Sequence, residues 1–444
     1  MLTKLTMTAI LAMLPNIALA QNAPSTTPVD LLPPEMQSPP ASAPPAPVAA
    51  TVEVPAPVIV PSWTASDAQA LLTTIKGIGA EGLKPSEYQP TELEAAIAAG
   101  EGDALDAAAT KSFTWLAEDL RDGRTPMSAR LDWFVTDPDT KLIPTDQLMV
   151  RALSERNVPA TLQSLAPKHP DYAILRTALA STPAIEKTRI QLIKANMDRW
   201  RWLQQDLGVR YMMTNVPEYQ LRLVVRDQIV GTYRTIVGKP GKTATPQLAE
   251  KMEGVIFNPT WTVPQSIVKG EGLGARLLAR PQADYKVTKN GDGSLTVVQQ
   301  PGPRNSLGLI KVDMPNPHAI FLHDTPSRGL FNQTSRALSH GCIRTERASE
   351  LGMTLALLLG DVPTKKSVEI LLSNKYTRVP FKRDMPVFIT YFTMANNING
   401  KLSTFKDIYG RDKAIFDAMN AARPQRTGAM KQTKKVVPIE DPGA

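Results

Sequence analysis

The sequence predicts an α+β protein, a helical N-terminal region followed by a β-rich, sandwich-like domain, and three observations carry that expectation. Apolar residues recur at three- and four-residue steps early in the chain: Leu71, Leu72 and Ile75, then Leu105, Ala109, Phe113, Leu116 and Leu120, then Ile190, Ile193, Met197, Trp200 and Leu203. Such stripes belong to helices with one buried face. From Tyr219 the pattern shortens to alternation, with 219–225 and 228–237 on either side of Arg226-Asp227, which predicts a hairpin. The third observation is size: 444 residues, 42% hydrophobic, can bury a sizeable core and divide into two or three domains.

Taken in order, residues 1–20 carry Lys4, an apolar run from Met7 to Leu14 and Ala18-Leu19-Ala20, and read as a cleaved secretory signal. The run is too short for a membrane span of about 20 residues, no cysteine follows to take a lipid anchor, and no later stretch is apolar enough to span. Residues 21–62 are dense in Pro, Ala and Val and read as an extended linker. Residues 63–184 form the helical region, with turns at Gly82-Leu-Lys-Pro85 and Asp122-Gly-Arg-Thr-Pro126; His169, between Lys168 and Pro170, reads as solvent-exposed. A connecting helix follows within 185–208, with Trp200 better read as core than as a sugar platform. Residues 209–393 make the β-rich domain, 394–422 a C-terminal extension and 423–444 a basic, solvated tail.

The chemistry gathers at Ser339-His340-Gly341-Cys342-Ile343-Arg344, which holds the sole cysteine. A lone cysteine is by default a small buried hydrophobe. Here its neighbours are polar and glycine-containing, and Gly341 allows the sharp turn that exposes a sulfur. Apolar residues Ala348, Leu351, Leu355 and Leu358 place a helix behind it with Thr345 as N-cap, so the thiol is expected to face a positive helix end that favours the thiolate. The N–H groups of Gly341 and Cys342 would then meet a tetrahedral oxyanion. A thiol nucleophile needs a base, and the histidines are His169, His318, His323 and His340. The run from His318 to His323 reads as a strand, which points its two histidines to opposite faces; His323, at its end, is the expected base.

The pattern His323-Asp324 followed by Ser339-His340-Gly341-Cys342-Ile343-Arg344 resembles the L,D-transpeptidases of the cell wall, with a YkuD-type catalytic domain. Phe257-Asn-Pro-Thr-Trp261-Thr-Val-Pro264, Pro301-Gly-Pro-Arg-Asn-Ser-Leu-Gly308 and Asp407-Ile-Tyr-Gly-Arg-Asp412 are similar to the large periplasmic, YcbB-like branch. The resemblance implies a sandwich-like catalytic domain on a helical scaffold and a cysteine thioester formed from a tetrapeptide stem of peptidoglycan. It also implies loss of the terminal D-alanine and acylation by carbapenems. It assigns the carbonyl of Asp324 to hold the His323 ring. Arg344, Arg336 and Arg304 become candidates for gripping substrate carboxylates. His340 either lines the oxyanion hole or shapes the turn, and Trp261 either walls the groove or packs in the core. The segment from Gln265 to Gly308 is expected to act as a lid. A carboxypeptidase acting on the same stems, or attachment of an outer-membrane protein to the wall, remains the alternative reaction.

Charge and motif content exclude other classes. The net charge of +8 suits an anionic partner, but no zinc-finger spacing, RNP-like aromatic run or basic heptad region supports nucleic acid. Gly238-Lys-Pro-Gly241-Lys242-Thr243 lacks the first glycine of a phosphate loop, and Gly270-Glu-Gly-Leu-Gly274 follows no βαβ strand, so no cofactor is expected. A metal site built on Cys342, His323 and His340 lacks a carboxylate to complete it, and none is expected.

Overall fold

The computed structural model describes residues 60–424. The expected signal at 1–20, nearly all of the expected linker at 21–62 and the part of the expected tail beyond Pro424 lie outside the described residues.

Eight helices come first: α1 (Ala65–Gly77), α2 (Pro90–Ala99), α3 (Asp103–Asp122), α4 (Asp139–Leu142), α5 (Thr145–Ser154), α6 (Val158–Gln163), α7 (Pro170–Ser181) and α8 (Lys187–Trp200). Thr64 starts α1 as its N-cap, its Oγ1 accepting from the N–H of Asp67 at 3.1 Å. The expected faces of α1 and α3 are buried together, and Leu148, Leu153 and Leu162 of α5 and α6 close that core. Gly123 ends α3 at φ 84°, and a side chain there would meet the Trp202 ring at 2.6 Å, so glycine is required on both counts. A second core joins α7 and α8 to the β-rich domain: Trp200 stacks on Phe392 at 4.5 Å, with Tyr211 and Phe388 beside them.

His169 corrects the expectation of an exposed loop residue. Its Nδ1 accepts from the N–H of Asp171, capping α7; its Nε2 meets the Tyr211 hydroxyl at 3.0 Å; and its ring stacks on Trp200 at 4.2 Å. Three contacts at once hold it half-buried, and its chain neighbours Lys168 and Pro170 gave no hint of them.

The β-rich domain comprises β1 (Arg210–Asn215), β2 (Gln220–Val225), β3 (Gln228–Gly238), β4 (Leu248–Lys251), β5 (Gly254–Phe257), β6 (Trp261–Thr262), β7 (Tyr285–Lys289), β8 (Leu295–Gln299), β9 (Ile310–Asp313), β10 (Leu322–His323), β11 (Ala337–Ser339), β12 (Ile343–Thr345), β13 (Thr377–Pro380) and β14 (Pro386–Thr390). Strands pair in the order β13-β5-β9-β10-β12-β3-β2-β1-β14-β4, with β11 also on β3. The long β3 runs through both halves of this path, and residues of both, among them Met212, Leu223 and Val387 from one and Val312, Leu322 and Ile343 from the other, meet in a single core. That is the sandwich-like packing the sequence predicts. Arg226 and Asp227 both take left-handed backbone, at φ 49° and 58°, as a two-residue hairpin turn requires.

Between β5 and β9 a small cap folds on its own core. The three strands β6, β8 and β7 pair with one another, and helices α9 (Gln265–Val268) and α10 (Leu273–Ala279) pack on them through Val263, Val268, Leu277 and Val297. The segment from Gln265 to Gly308, expected to act as a lid, thus contains helices and strands of its own. After the sandwich come α11 (Ala348–Gly360) and α12 (Thr364–Leu372), then the hairpin β15 (Met394–Asn396) and β16 (Leu402–Thr404), and finally α13 (Asp412–Asn420), whose Ile415 and Met419 join the core shared with α8. Arg423, expected to open a solvated tail, is instead 4% exposed at its side chain, paired with Glu118 and Asp119 of α3 and set over the Trp115 ring.

Candidate active site

The site lies where three short strands meet. β10 runs parallel to β12 with Leu322 opposite Ile343 and His323 opposite Arg344, and antiparallel to β9 with His323 opposite Lys311. Directly paired residues share a face of a sheet, so Lys311 and Arg344 flank His323. Phe321 and Cys342 precede this row by two residues on their chains, and the N–H of Ile343 donates to the carbonyl of Phe321 at 3.0 Å, which ties the two chains together one residue from the sulfur.

Two expectations fail here. The strand expected from His318 to His323 is reduced to Leu322–His323, because Asn316 captures the chain before it: its Oδ1 accepts from the N–H groups of His318 and Ile320, its Nδ2 donates to the Ile320 carbonyl at 2.7 Å, and Ala319 sits at φ 50°. Thr345 is no N-cap, for it belongs to β12; α11 begins at Ala348 with Arg347 as the capping residue. β12 therefore stands in the chain between the thiol and the start of α11, and the turn itself holds the cysteine.

That turn is held at every peptide. Gly341 is at φ 123°, a conformation side-chain-bearing residues rarely adopt. Its N–H donates to Ser339 Oγ at 3.1 Å, so this donor, expected to serve an oxyanion, is engaged within the turn. Ser339 Oγ in turn donates to the Cys342 carbonyl at 2.6 Å, and Thr245 Oγ1 donates to the Gly341 carbonyl at 2.7 Å. Cys342 itself is half-buried, its Sγ 3.5 Å from the carbonyl of Ala319.

His323 is 6% exposed, and its Nδ1 lies 2.6 Å from the Asp324 carbonyl oxygen. A carbonyl only accepts, so Nδ1 carries the proton and Nε2 keeps the lone pair, the tautomer a base needs. Burial pushes the ring down to about 3, the charges of Arg344 and Lys311 act the same way, and the carbonyls of Asp324 and Leu307 oppose them without prevailing. The imidazole is thus neutral at physiological pH. Asp324 is fixed in its turn: its N–H donates to the Ile310 carbonyl, and its carboxylate accepts from the Leu309 N–H at 3.0 Å and from Arg328. Gly308, at φ 64°, leaves the space the Asp324 carboxyl fills.

Of the expected site residues the structure brings Cys342, His323, Gly341, Asp324 and Arg344 together. His340 is exposed, with Nε2 2.8 Å from Glu271 of the cap. Arg304 is held by Asp284 through two hydrogen bonds of 2.7 and 2.8 Å, and Arg336 spends its guanidinium on the carbonyls of Thr235, Gln333 and Tyr219 and on the Tyr219 ring; neither reaches the site through these contacts. Trp261 packs on the core of the cap. Sequence reading missed Ser339, Thr245, Lys311 and Glu271. Ser339 stood inside the quoted motif without a role, and the other three lie in stretches with no chemical pattern.

Among the described residues no group of three or more His, Cys, Asp and Glu side chains could hold a metal ion, and no helix is long and apolar enough to cross a membrane.

Residues 209–356 match the L,D-transpeptidase catalytic domain, YkuD, and residues 60–179 match the Scaffold domain. A Haemophilus influenzae protein described as "Putative L,D-transpeptidase" is 33% identical over 223 residues, which cover 46% of this chain and 45% of that one. The chain thus spans less than half the length of that curated relative. Among solved structures, an L,D-transpeptidase from Mycobacterium smegmatis aligns at 12% identity and a TM-score of 0.23 over 41% of this chain and 58% of its own. One from Stackebrandtia nassauensis aligns at 12% identity and 0.20 over 75% and 95%. Alignments that loose bear on neither the fold nor the chemistry. The two domain matches, one over the β-rich domain with its cysteine turn and one over the helical region, show that this chain carries a YkuD L,D-transpeptidase catalytic domain behind a scaffold domain.

Proposed function

We propose that the protein cross-links peptidoglycan by acyl transfer through Cys342. His323 Nε2 takes the thiol proton, the thiolate attacks the carbonyl before the terminal D-alanine of a tetrapeptide stem, and a tetrahedral adduct forms. Its collapse breaks the peptide bond, and the imidazolium returns the proton to the leaving amine, so that D-alanine departs and a thioester remains. An acceptor amine then attacks the thioester, giving up its proton to His323 and displacing the thiolate. The observation that carries this reading is the 2.6 Å contact between His323 Nδ1 and the Asp324 carbonyl, which holds the ring in the tautomer of a base one strand away from the cysteine turn.

Arg344 supplies a positive charge that favours the thiolate and can meet a stem carboxylate. The apolar run and small-residue site within 1–20 fit export to the periplasm, where peptidoglycan stems are found. By the same chemistry a carbapenem would acylate Cys342.

Purified protein incubated with defined tetrapeptide stems, followed by mass analysis of all products, tests the proposal. Linked stems, free D-alanine and a thioester adduct on the wild type but none on Cys342→Ala are expected. Shortened stems alone would make the protein a carboxypeptidase, with water in place of the acceptor, and unchanged product from Cys342→Ala would end the proposal. Attachment of an outer-membrane protein would show as a stem joined to a lysine-bearing peptide when such an acceptor is added.

A further inference from the structure

The motif Asp407-Ile-Tyr-Gly-Arg-Asp412 lies far from the cysteine in sequence, and nothing in the proposed chemistry uses it. In the fold it sits beneath the cysteine turn. The Asp407 carboxylate gathers the Tyr391 hydroxyl at 2.6 Å and the N–H groups of Arg411 and Asp412 at 2.9 Å, while the N–H of Tyr409 donates to the Tyr391 hydroxyl. Arg411, 3% exposed, lies over the rings of Tyr391 and Tyr409 and donates to Asp132 at 2.9 Å and to the Thr245 carbonyl at 3.1 Å. The Tyr409 hydroxyl donates to the Gly238 carbonyl at 2.6 Å and accepts from the Thr245 N–H at 3.2 Å. Thr245, fully buried, uses its hydroxyl twice, accepting from the Gly238 N–H at 2.9 Å and donating to the Gly341 carbonyl at 2.7 Å.

The last of these contacts matters because of what a glycine cannot do for itself. A peptide group is planar, so the carbonyl of Gly341 and the N–H of Cys342 move as one plate. Gly341 at φ 123° has no Cβ to limit its rotation, and the orientation of that plate must come from a partner on its carbonyl. Thr245 is that partner. The following plate is set by Ser339 on the Cys342 carbonyl. Cys342 thus hangs between two clamped peptides, one held from its own turn and one by Thr245 from the loop between β3 and β4, with Tyr409 of the C-terminal motif behind it.

The geometry points to Thr245 and Tyr409 as positioning residues that aim the Cys342 sulfur by clamping the Gly341 peptide. This rests on Cys342 being the nucleophile, and it goes further in assigning the aim of the nucleophile to a hydroxyl from another loop and to the motif behind it. Replacing that hydroxyl by a methyl group frees the plate and leaves the buried Gly238 N–H without its acceptor, while serine restores both bonds.

The test uses the full chain with tetrapeptide stems, following kcat and KM of acylation, the rate of Cys342 alkylation by iodoacetamide, and thermal unfolding. Thr245→Val is expected to lower kcat roughly tenfold or more with KM within about twofold, the pattern of a misaimed reactant. Thr245→Ser is expected to return to within about threefold of the wild type, and Tyr409→Phe to fall between them. Should Thr245→Val fail to fold, Tyr409→Phe carries the test, and its wild-type kcat would overturn the assignment. So would a Thr245→Val protein with wild-type kcat, or a serine variant no better than valine. Cys342→Ala run alongside separates the two questions, because retained cross-linking there defeats the nucleophile itself and not its positioning.

Discussion

Glu271 Oε1 lies 2.8 Å from His340 Nε2, so the cap is joined to the residue two positions before the nucleophile by a single exposed contact. Both side chains are about half exposed, and such a pair contributes at most about 1 kcal/mol to stability. Its consequence is local. Glu271→Ala should leave thermal unfolding within about 2 °C of the wild type while raising amide hydrogen exchange through α10 and leaving β1, β2 and β3 as they were. Unchanged exchange in α10 would show that the cap is held by its other contacts.

A histidine buried with two cations beside it should resist protonation far below the usual range. His323 is pushed down to about 3, first by burial and then by Arg344 and Lys311. The expected outcome is an imidazole whose NMR shifts show the neutral, Nδ1-protonated tautomer throughout pH 5 to 8, and an alkylation rate at Cys342 with no inflection near 6.5. A ring titrating at 6.5 would mean that the Asp324 carbonyl holds a solvated side chain.

How much of this was legible in the sequence follows from the range of the forces involved. The stripes of α1, α3 and α8 could be read because a helix writes its burial into local spacing. Cys342 and His323 could be read because the chain offers so few thiols and imidazoles. The strands at the site could not: β10 has two residues, β11 and β12 three each, and they exist through pairing with distant chain segments rather than through their own alternation. The reading of Thr345 as an N-cap failed for that reason, since β12 intervenes before α11. Thr245 and Glu271 act through one hydroxyl and one carboxylate brought in from other loops, and a single polar residue in a loop leaves no pattern to find.

Arg344 presents a half-buried cation whose buried Nε has no hydrogen-bond partner, and no ion pair joins it to a carboxylate among the described residues. Burying such a charge costs stability, so Arg344→Met should be neutral or stabilising by roughly 0–2 kcal/mol in urea unfolding. The same change removes positive charge near the thiol. It should move the midpoint of the Cys342 alkylation profile upward and raise KM for an anionic stem about tenfold. A variant that loses stability yet keeps KM would make Arg344 a structural residue and leave carboxylate recognition to other side chains.

The acid limit of the fold should pass through His169. Its Nδ1 accepts from the Asp171 N–H and its Nε2 donates to Tyr211, so the native state needs the neutral ring, and protonation would set a donor against a donor. Burial, helped by the charge of Arg222, pushes it down to about 4. Between about 6.5 and 4 the unfolded chain therefore binds a proton that the folded chain does not, and stability falls as pH falls through that window. Asp171, raised by burial to about 6, works in the opposite direction but is common to both proteins compared here. Asparagine at position 169 keeps a capping oxygen and does not titrate. Urea unfolding at pH 7 and pH 5 should show the wild type losing about 1–2 kcal/mol more than His169→Asn over that interval. Equal losses would mean that the ring takes up its proton in place, which requires the start of α7 to open and the stack on Trp200 and Phe392 to separate from it.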